Sequence, residues 1–475
     1  YANTDSIIPI KNRLMRYTQI REISYPSELM DNVNENIRKI SVLLLAGLLA
    51  GCTSQVEQTQ APTQESTEPV QIPVPTTQQV PPENGFELLG GEPVSIVYEY
   101  GFVDQMVYEC KQLGVQITTE GYEPIAVYND WEEDEKKVVH DAKEILVGNT
   151  NRKASRELVQ SLEDGSFAVK ITEKQILIAG KDQMATHYAL RYFRDEILKS
   201  PERYTAAGTY QIPTADYVGQ VPDMTLEEMA ATGEPLVMIC YEVGRLDGIN
   251  GYARVEGGCS DGKYIYQSHD TPDLSKVIIS KTEIATMKRV AESEPMDVAT
   301  ADDMTWYNGE LFLCKPGNRM TTEVAVVDAE TLEFKGYRKF TGEYNTPTVH
   351  YETTKDQFVA RVSGTSMAIY DGQMNYIKFM QSSETADNMT GQGMAADENY
   401  IYQNWWDELR REQVHDAITI FDWDGNFLAK ATAYWDNGMA DMEPKTLYNI
   451  NGELYGMWID WAQGMFVYKI EFALA

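Results

Sequence analysis

Seven side chains in this 475-residue sequence belong to the residue types that bind hydroxylated ligands. They comprise two carboxylates, an amide, an imidazole and three indoles: Asp303, Glu443, Gln392, His269, Trp405, Trp406 and Trp458. Carboxylates and amides form hydrogen bonds with hydroxyl groups, and indole rings stack on the apolar face of a sugar ring. We predict that these residues line one ligand site if the fold brings them to one face.

The acids in this set also have the chemistry of a hydrolase or lyase. Two carboxyl groups at a suitable separation can act as general acid and general base on a glycosidic bond. Asp302 and Asp303 are such a pair, and Asp303 or Glu443 is the candidate to act from the axis of the fold. Sequence alone does not give their separation, so we assign no catalytic residue and keep an enzyme as the alternative to a binding protein.

The elements that must position these residues repeat along the C-terminal half. The tetrapeptide YIYQ occurs at Tyr264–Gln267 and again at Tyr400–Gln403. Apolar segments beginning at Leu311, Phe358 and Leu454 align with it, so that five copies lie 42–54 residues apart. A turn precedes each copy and a further strand follows it. Repeats of this length with four short strands each predict a β-propeller.

We place this propeller at residues 235–475 and predict five blades. The last repeat ends before its fourth strand, and Leu236–Tyr241 is predicted to supply that strand and close the ring. Six blades remain the alternative if residues 214–258 form more than the closing strand. The pattern is similar to bacterial NHL- and YVTN-type propellers at the level of fold. Residues that enter first strands, or lie between second and third strands, then share the face that carries the seven side chains.

The N-terminal part contains a processing signal. Arg38 and Lys39 precede an apolar run of about eleven residues, which is too short to span a bilayer. The run ends in Leu49-Ala50-Gly51-Cys52 and resembles the lipobox of bacterial lipoproteins, in which the cysteine sulfur takes a diacylglycerol. The resemblance implies a signal peptide at 30–51, membrane lipid attached through Cys52, and an extracytoplasmic, membrane-anchored location. Residues 1–29 are then a non-native segment upstream of Met30.

Two further segments separate this signal from the propeller. We predict that residues 52–91 form a disordered tether, because residues 53–84 contain no Lys, Arg or Gly and are rich in Thr, Gln and Pro. Residues 92–213 alternate between strand and helix patterns and predict a small α/β domain. Within it we expect a helix at Val103–Leu113 and a strand at Val115–Thr118. Residues 214–234 are predicted to be a linker.

The α/β domain carries a second resemblance. The run EILVGNTNR, the strand ILIAG and a Thr-His-Tyr-Ala-Leu helix resemble the small α/β domain that precedes the catalytic barrel of hexosaminidases and α-glucuronidases. In those families the domain is accessory, and the catalytic acids lie in the barrel. No barrel pattern follows here, so the resemblance implies an accessory role and transfers no catalytic residue.

Charge and cysteine usage exclude several classes of function. The formal net charge of −33 repels phosphate backbones, so we predict no nucleic-acid partner. Cys110, Cys240, Cys259 and Cys314 form no C-x-x-C pair and have no histidine at metal-ligand spacing, so we predict no metal and no cofactor. These cysteines either pair in an oxidising compartment or remain buried thiols.

Taken together, these features predict a cell-surface lipoprotein whose acidic propeller binds an extracellular ligand, with a glycan as the first choice. Two alternatives stay open. One is a carbohydrate-active hydrolase or lyase that acts through axial carboxylates. The other is a scaffold that docks a protein of the cell envelope.

Overall fold

The computed structural model describes most of the chain beyond residue 84. The described residues are 85–89, 93–118, 125–131, 143–198, 210–249, 254–273, 275–298, 301–314, 322–382, 389–407, 416–435, 442–460 and 464–475. The predicted signal peptide, Cys52 and the tether up to residue 84 therefore lie outside the described residues. All of these described residues belong to one compact unit.

An α/β region begins this unit. Its strands are β1 (Gly85–Leu89), β2 (Val94–Tyr98), β3 (Ala126–Asn129), β4 (Lys143–Val147), β5 (Ser166–Ile171), β6 (Gln175–Gly180), β7 (Tyr210–Pro213) and β8 (Ala215–Gln220). Its helices are α1 (Asp104–Thr118), α2 (Lys153–Ser161) and α3 (Gln183–Tyr192), and a π-helical turn (Phe193–Leu198) continues α3. A short helix α4 (Leu226–Ala231) follows the region.

Six of these strands form one mixed sheet in the order β3-β2-β4-β6-β5-β8. The first four in this order are mutually parallel, whereas β5 runs antiparallel to both of its neighbours. Strands β1 and β7 pair separately. Apolar residues at helical spacing, including Met106, Leu113 and Ile117, turn α1 towards the core beneath this sheet.

The structure corrects three details of the predicted α/β domain. Val115–Thr118 is the last turn of α1 and not a strand, because the helix continues through Gly114, where a side chain would meet Val127. The predicted tether, 52–91, contains strand β1, which pairs with β7. The predicted linker, 214–234, contains β8, which extends the sheet through its pairing with β5, and also α4.

The remainder of the unit consists of four-stranded antiparallel sheets consistent with a β-propeller. In chain order the strands are β9 (Leu236–Leu246), β10 (Arg254–Ser260), β11 (Tyr264–Asp270), β12 (Val277–Glu283), β13 (Lys288–Glu292), β14 (Met304–Tyr307), β15 (Glu310–Cys314), β16 (Glu323–Asp328), β17 (Phe334–Lys339), β18 (Thr348–Glu352), β19 (Gln357–Ser363), β20 (Ser366–Asp371), β21 (Tyr376–Met380), β22 (Thr390–Ala396), β23 (Tyr400–Trp406), β24 (Ala417–Asp422), β25 (Phe427–Thr432), β26 (Met442–Ile450), β27 (Glu453–Asp460) and β28 (Gly464–Leu474). The second and third strands predicted for each repeat coincide with strands of these sheets.

Strand β9 completes the last sheet, as the sequence predicts. It pairs antiparallel with β28 from Leu236 to Leu246, so that the order is β26-β27-β28-β9. Two further pairs join β9 to β25 and connect this sheet to its neighbour. The first strands of the sheets contact one another in a closed cycle, β10–β14–β18–β22–β26–β10. These strands therefore surround a common axis.

The α/β region packs against the closing strands of the propeller-like region. Val237 and Ile239 of β9 and Ala473 of β28 belong to the same hydrophobic core as α1 and α3. His187 of α3 lies beside Glu109, with 2.8 Å between Nδ1 and Oε1, and its Nε2 lies 2.7 Å from the Leu474 carbonyl oxygen. All of these groups are buried, so the closing strands serve both regions.

Cys110, Cys240, Cys259 and Cys314 are all buried and carry free thiols. This arrangement corresponds to the second of the two alternatives left open by the sequence. Among the described helices, none is both long enough and apolar enough to cross a membrane.

Candidate functional site

The predicted site residues divide between two kinds of position. Asp303, Gln392 and Glu443 lie at the beginnings of the first strands β14, β22 and β26, close to the axis. His269 and the three tryptophans lie on second strands: β11, β23 and β27. All first strands run in the same direction along the axis. We call the end of the axis at which these strands begin the beginning end, and the end at which they finish the terminal end.

The beginning end contains a buried network that we call the axial polar cluster. It comprises the side chains of Glu256, Asp303, Arg361, Gln392, Glu443 and Lys445. Lys445 Nζ lies 2.5 Å from Glu443 Oε1 and 3.2 Å from Glu256 Oε2, and its side chain is 3% exposed. Gln392 donates from Nε2 to Glu443 Oε1 at 3.4 Å. One cation therefore connects carboxylates from two sheets, and an amide extends the network to a third.

Asp303 and Arg361 form the other part of this cluster. Burial raises the pKa of the Asp303 carboxyl well above its ordinary value, against the opposing effects of the Met304 backbone N–H and the Arg361 guanidinium. Thr446 donates to Asp303 Oδ1 at 3.3 Å. Arg361 donates to the Gln392 carbonyl oxygen at 3.0 Å and stands 5.3 Å from the centre of the Trp405 ring. The guanidinium thus connects two of the predicted site residues.

His269 and Trp405 occupy equivalent positions and make equivalent contacts. His269 Nε2 lies 2.8 Å from the Ser280 hydroxyl, and Trp405 donates from Nε1 to the Thr419 hydroxyl at 2.8 Å. In both cases a ring nitrogen reaches a hydroxyl on the third strand of its own sheet, and both rings are buried. Burial lowers the pKa of His269 to about 4, so the imidazole is neutral near pH 7. These contacts hold strands together, and ligand binding by either ring stays a prediction.

The other two tryptophans differ in exposure. Trp458 is completely buried and donates from Nε1 to Asp416 Oδ2 at 3.0 Å, within a core that also contains Tyr468. Trp406 is half-buried, and its indole N–H has no hydrogen-bond partner among the described residues. The structure therefore brings together Asp303, Gln392, Glu443 and Trp405 near the axis and leaves Trp458 in the hydrophobic core.

The terminal end of the axis holds an open pocket of about 400 Å³, which we call the axial pocket. Residues from every first strand line it. Its polar and aromatic lining residues include Asp261, Thr305, Trp306, His350, Tyr351, Glu352, Asp397, Glu398, Asn399, Asn449 and Asn451. The pocket thus lies at the opposite end of the first strands from the residues that the sequence singles out.

The lining of the axial pocket is acidic. It includes the carboxylates of Asp261, Glu352, Asp397 and Glu398, and no Lys or Arg is among the lining residues described. Burial lowers the pKa of His350 to about 4, against a weaker effect of the Ala396 backbone, so this imidazole is uncharged near pH 7. The lining residues therefore give the pocket a negative potential.

The repeated YIYQ sequence builds part of this wall. Tyr266 donates its hydroxyl to Asp261 Oδ2 at 2.9 Å, and Tyr402 donates to Asp397 Oδ2 at 2.7 Å. The other oxygen of each aspartate accepts backbone N–H groups of its own turn, such as that of Tyr264 at 2.6 Å. Positions that match in sequence therefore make the same contacts in space and fix the turns that border the pocket.

Sequence reasoning missed Arg361, Lys445 and the axial pocket. Arg361 occupies the position equivalent to the glutamine of YIYQ, so an unexpected charge at a repeated strand register was the available signal. Lys445 follows Glu443 by two residues and thus lies on the same face of β26. Residues at the terminal end lie in the hairpin turns, which sequence reasoning used to define the blades and did not test as a site.

The chemistry available at the two ends differs. In the axial polar cluster Lys445 and its two carboxylate partners are buried and paired, which suits the joining of sheets. The axial pocket is open and offers acceptors, amides and aromatic rings to a small ligand. Within the described part of the chain, no group of three or more His, Cys, Asp or Glu side chains is arranged to hold a metal ion.

Comparisons with known proteins identify similar solved structures and no sequence family. No protein-family model and no curated protein sequence matches the chain. The structure of U3-55K and the WD40 repeats of RRP9 each match with 9% identity and a TM-score of 0.30, covering 48% of this chain and 97% of theirs. An exo-beta-1,3-galactanase from Phanerochaete chrysosporium with beta-1,3-galactotriose matches with 10% identity and a TM-score of 0.34. The match covers 49% of this chain and 64% of the galactanase, which is less than two thirds of it. These are propeller structures, and the likeness concerns fold alone.

Proposed function

We propose that this chain is a lipid-anchored protein on the outer side of a bacterial membrane, and that its propeller binds a neutral glycan in the axial pocket. The axial pocket is the observation that carries the ligand proposal, because it is open, polar and partly aromatic. The closed cycle of first strands supports a propeller of five blades. The lipobox at Leu49-Ala50-Gly51-Cys52 supports the anchor.

The size and lining of the pocket suit a sugar. A volume of about 400 Å³ lies in the range of small-molecule sites and has room for one or two sugar rings. Asn399, Asn449 and Glu352 can exchange hydrogen bonds with hydroxyl groups, while Trp306 offers aromatic surface to the C–H face of a ring.

The electrostatics of the pocket select against acidic glycans. Four carboxylates and a neutral His350 line the pocket, and no cation balances them among the described lining residues. A uronic acid or sulfate group would have to enter this potential without a partner, and such a like-charge contact costs several kcal/mol. We therefore expect neutral sugars, and amino sugars as a second choice.

A glycan array with the purified chain tests this proposal. Binding to neutral glycans should be lost in Trp306→Ala, whereas Glu398→Arg, which changes the charge of an exposed residue at the rim, should reduce the exclusion of acidic glycans. Trp406→Ala is the matched control at the opposite end of the axis and should bind as the wild type does. Loss of binding in Trp406→Ala but not in Trp306→Ala would place the ligand at the face predicted from the sequence, and silence on all neutral glycans would reject the glycan.

One observation favours the enzyme as a second candidate. Burial raises the pKa of the Asp303 carboxyl, and a raised pKa is what a general acid requires of a carboxyl group. Glu443 would then be the second carboxyl group. Screening the chain against glycosides tests this candidate: turnover that disappears in Asp303→Asn, with folding intact, would support it over simple binding.

The anchor has its own test. Expressed in a bacterium that processes lipoproteins, the chain should incorporate labelled fatty acid and fractionate with membranes. Cys52→Ser should abolish the label and release the protein. A wild-type chain that carries no lipid would contradict the proposed location.

A further inference from the structure

The sheet of the α/β region has a topological switch point, the position at which open sheets bind ligands. From β2 the chain proceeds to β3 on one side, and it later returns to β4 on the other side of β2. The direction of connection therefore reverses between β2 and β4. In open α/β sheets ligands bind outside the carboxyl ends of the strands at such a switch point.

Two exposed aromatic rings stand at this edge. Tyr100 follows β2 and is 61% exposed, while Trp131 follows β3 and is 75% exposed. Their ring centres lie 5.3 Å apart, with 29° between the ring planes, so that they stack. Tyr100 covers one face of the indole and leaves the remainder open to solvent. The stacked rings together give a contiguous apolar surface that a ligand can cover.

Hydrogen bonds from the neighbouring loops hold this pair in place. Asp130 accepts the backbone N–H of Tyr100 at 2.8 Å through Oδ1 and that of Asn151 at 2.6 Å through Oδ2. Asn129 Oδ1 accepts the backbone N–H of Trp131 at 3.0 Å. The loops after β2, β3 and β4 are thereby tied to one another, so the rings are presented in a fixed arrangement before any ligand binds.

Polar groups surround the rings. Glu99 accepts the backbone N–H of Asn149 at 2.7 Å through Oε2, and the side chains of Asn149 and Asn151 are exposed. Carboxylate and amide groups beside an open indole face match the alternating apolar faces and hydroxyl edges of a pyranose. A hydrophobic peptide anchor would not use the surrounding amides, so the combination favours a carbohydrate.

We propose that Tyr100 and Trp131 form an aromatic platform that binds a polysaccharide chain by stacking, at the switch point of the α/β sheet. This site is separate from the axial pocket and does not depend on it. A pocket of about 400 Å³ accepts a short end of a glycan, whereas an open platform accepts an internal stretch of a long chain. The platform would hold the protein on a polymer.

Native gel electrophoresis through embedded neutral polysaccharides tests the platform in the full chain. Wild-type protein should be retarded by at least one of a β-glucan, a xylan, a mannan and a galactan. Trp131→Ala should weaken that affinity at least about tenfold, the equivalent of roughly 1.4 kcal/mol and of one lost stacking contact. Because Trp131 is largely exposed, the variant should retain the wild-type unfolding midpoint.

Two controls show whether the retardation is specific to the platform. Phe334 and Tyr337 form another exposed ring pair, with centres 5.3 Å apart, and Phe334→Ala/Tyr337→Ala should be retarded as the wild type is. Trp306→Ala, in the axial pocket, should also be retarded normally, so that failure of the pocket proposal leaves this result intact. No retardation of wild type in any of the four gels, or equal retardation of wild type and Trp131→Ala, would overturn the platform.

Discussion

Replacement of Lys445 by methionine tests the structural role of the axial polar cluster. Lys445 is paired with Glu443 and Glu256, and the exposed fractions of the three side chains are 3%, 8% and 10%. Removing one partner of a buried ion pair costs about 3–5 kcal/mol, because a charge is left buried without compensation. Two carboxylates lose their cation here, so we expect a loss near the upper part of that range.

Urea unfolding followed by tryptophan fluorescence measures this loss as a shift of the midpoint. Lys276→Met is a matched control, because its ion pair with Asp297 is long, at 3.8 Å, and exposed. Exposed pairs contribute about 0–1 kcal/mol, so this variant should stay close to wild type. The double variant Lys445→Met/Glu443→Gln should regain part of the loss, since one unpaired carboxylate is removed. A Lys445→Met protein within about 1 kcal/mol of wild type would refute the reasoning.

Three further predictions follow from local contacts. Burial lowers the pKa of His187, but Glu109 and the Leu474 carbonyl raise it by more, so the pKa in the folded state lies above that in the unfolded state. The stabilising effect of protonated His187 is therefore complete below about pH 6.5 and is lost as the pH rises through the folded-state pKa. The free energy of unfolding of the wild type should therefore fall between about pH 6 and pH 8 more steeply than that of His187→Gln, and equal slopes would contradict the pair. Gly452 has a φ of 87° and no atom within 4 Å of an added Cβ, so Gly452→Ala should cost about 1–2 kcal/mol through the backbone alone, while Gly248→Ala should be neutral in thermal unfolding. Burial raises the pKa of Cys110, Cys259 and Cys314, so none of these thiols should react with a disulfide reagent before urea unfolds the chain, and rapid reaction in the native state would disprove their burial.

The architecture could be predicted because similar strand and turn segments repeat along the sequence. The two copies of YIYQ are followed at the same spacing by His269 and Trp405, so they mark the same register of the second strand. Strands β11 and β23 have this register in the structure. Asn-Gly pairs at Asn308 and Asn451 identified hairpins, and both asparagines have positive φ, as such turns require. The closing role of β9 followed from counting strands in the last repeat.

The site could be predicted less well from the sequence, because the burial of each side chain depends on contacts with neighbouring sheets. Trp405 and Trp458 look like binding residues when only residue types are considered, yet neighbouring sheets bury both of them. The carboxylates that act on Lys445 and Arg361 include Glu256 and Asp303 from other sheets, and the sequence does not show that the fold brings these groups together. The prediction of a strand at Val115–Thr118 is wrong for a local reason. Glycine usually weakens a helix, but here Gly114 permits the close approach of α1 to Val127.

Amide hydrogen exchange on the chain with and without a bound neutral oligosaccharide tests the central claim most directly. We expect protection in the turns that border the axial pocket, at residues 397–400 and 449–452, and no change at the beginnings of the first strands. Protection centred on Asp303, Gln392 and Glu443, with the turns unchanged, would contradict the claim and place the ligand at the other end of the axis.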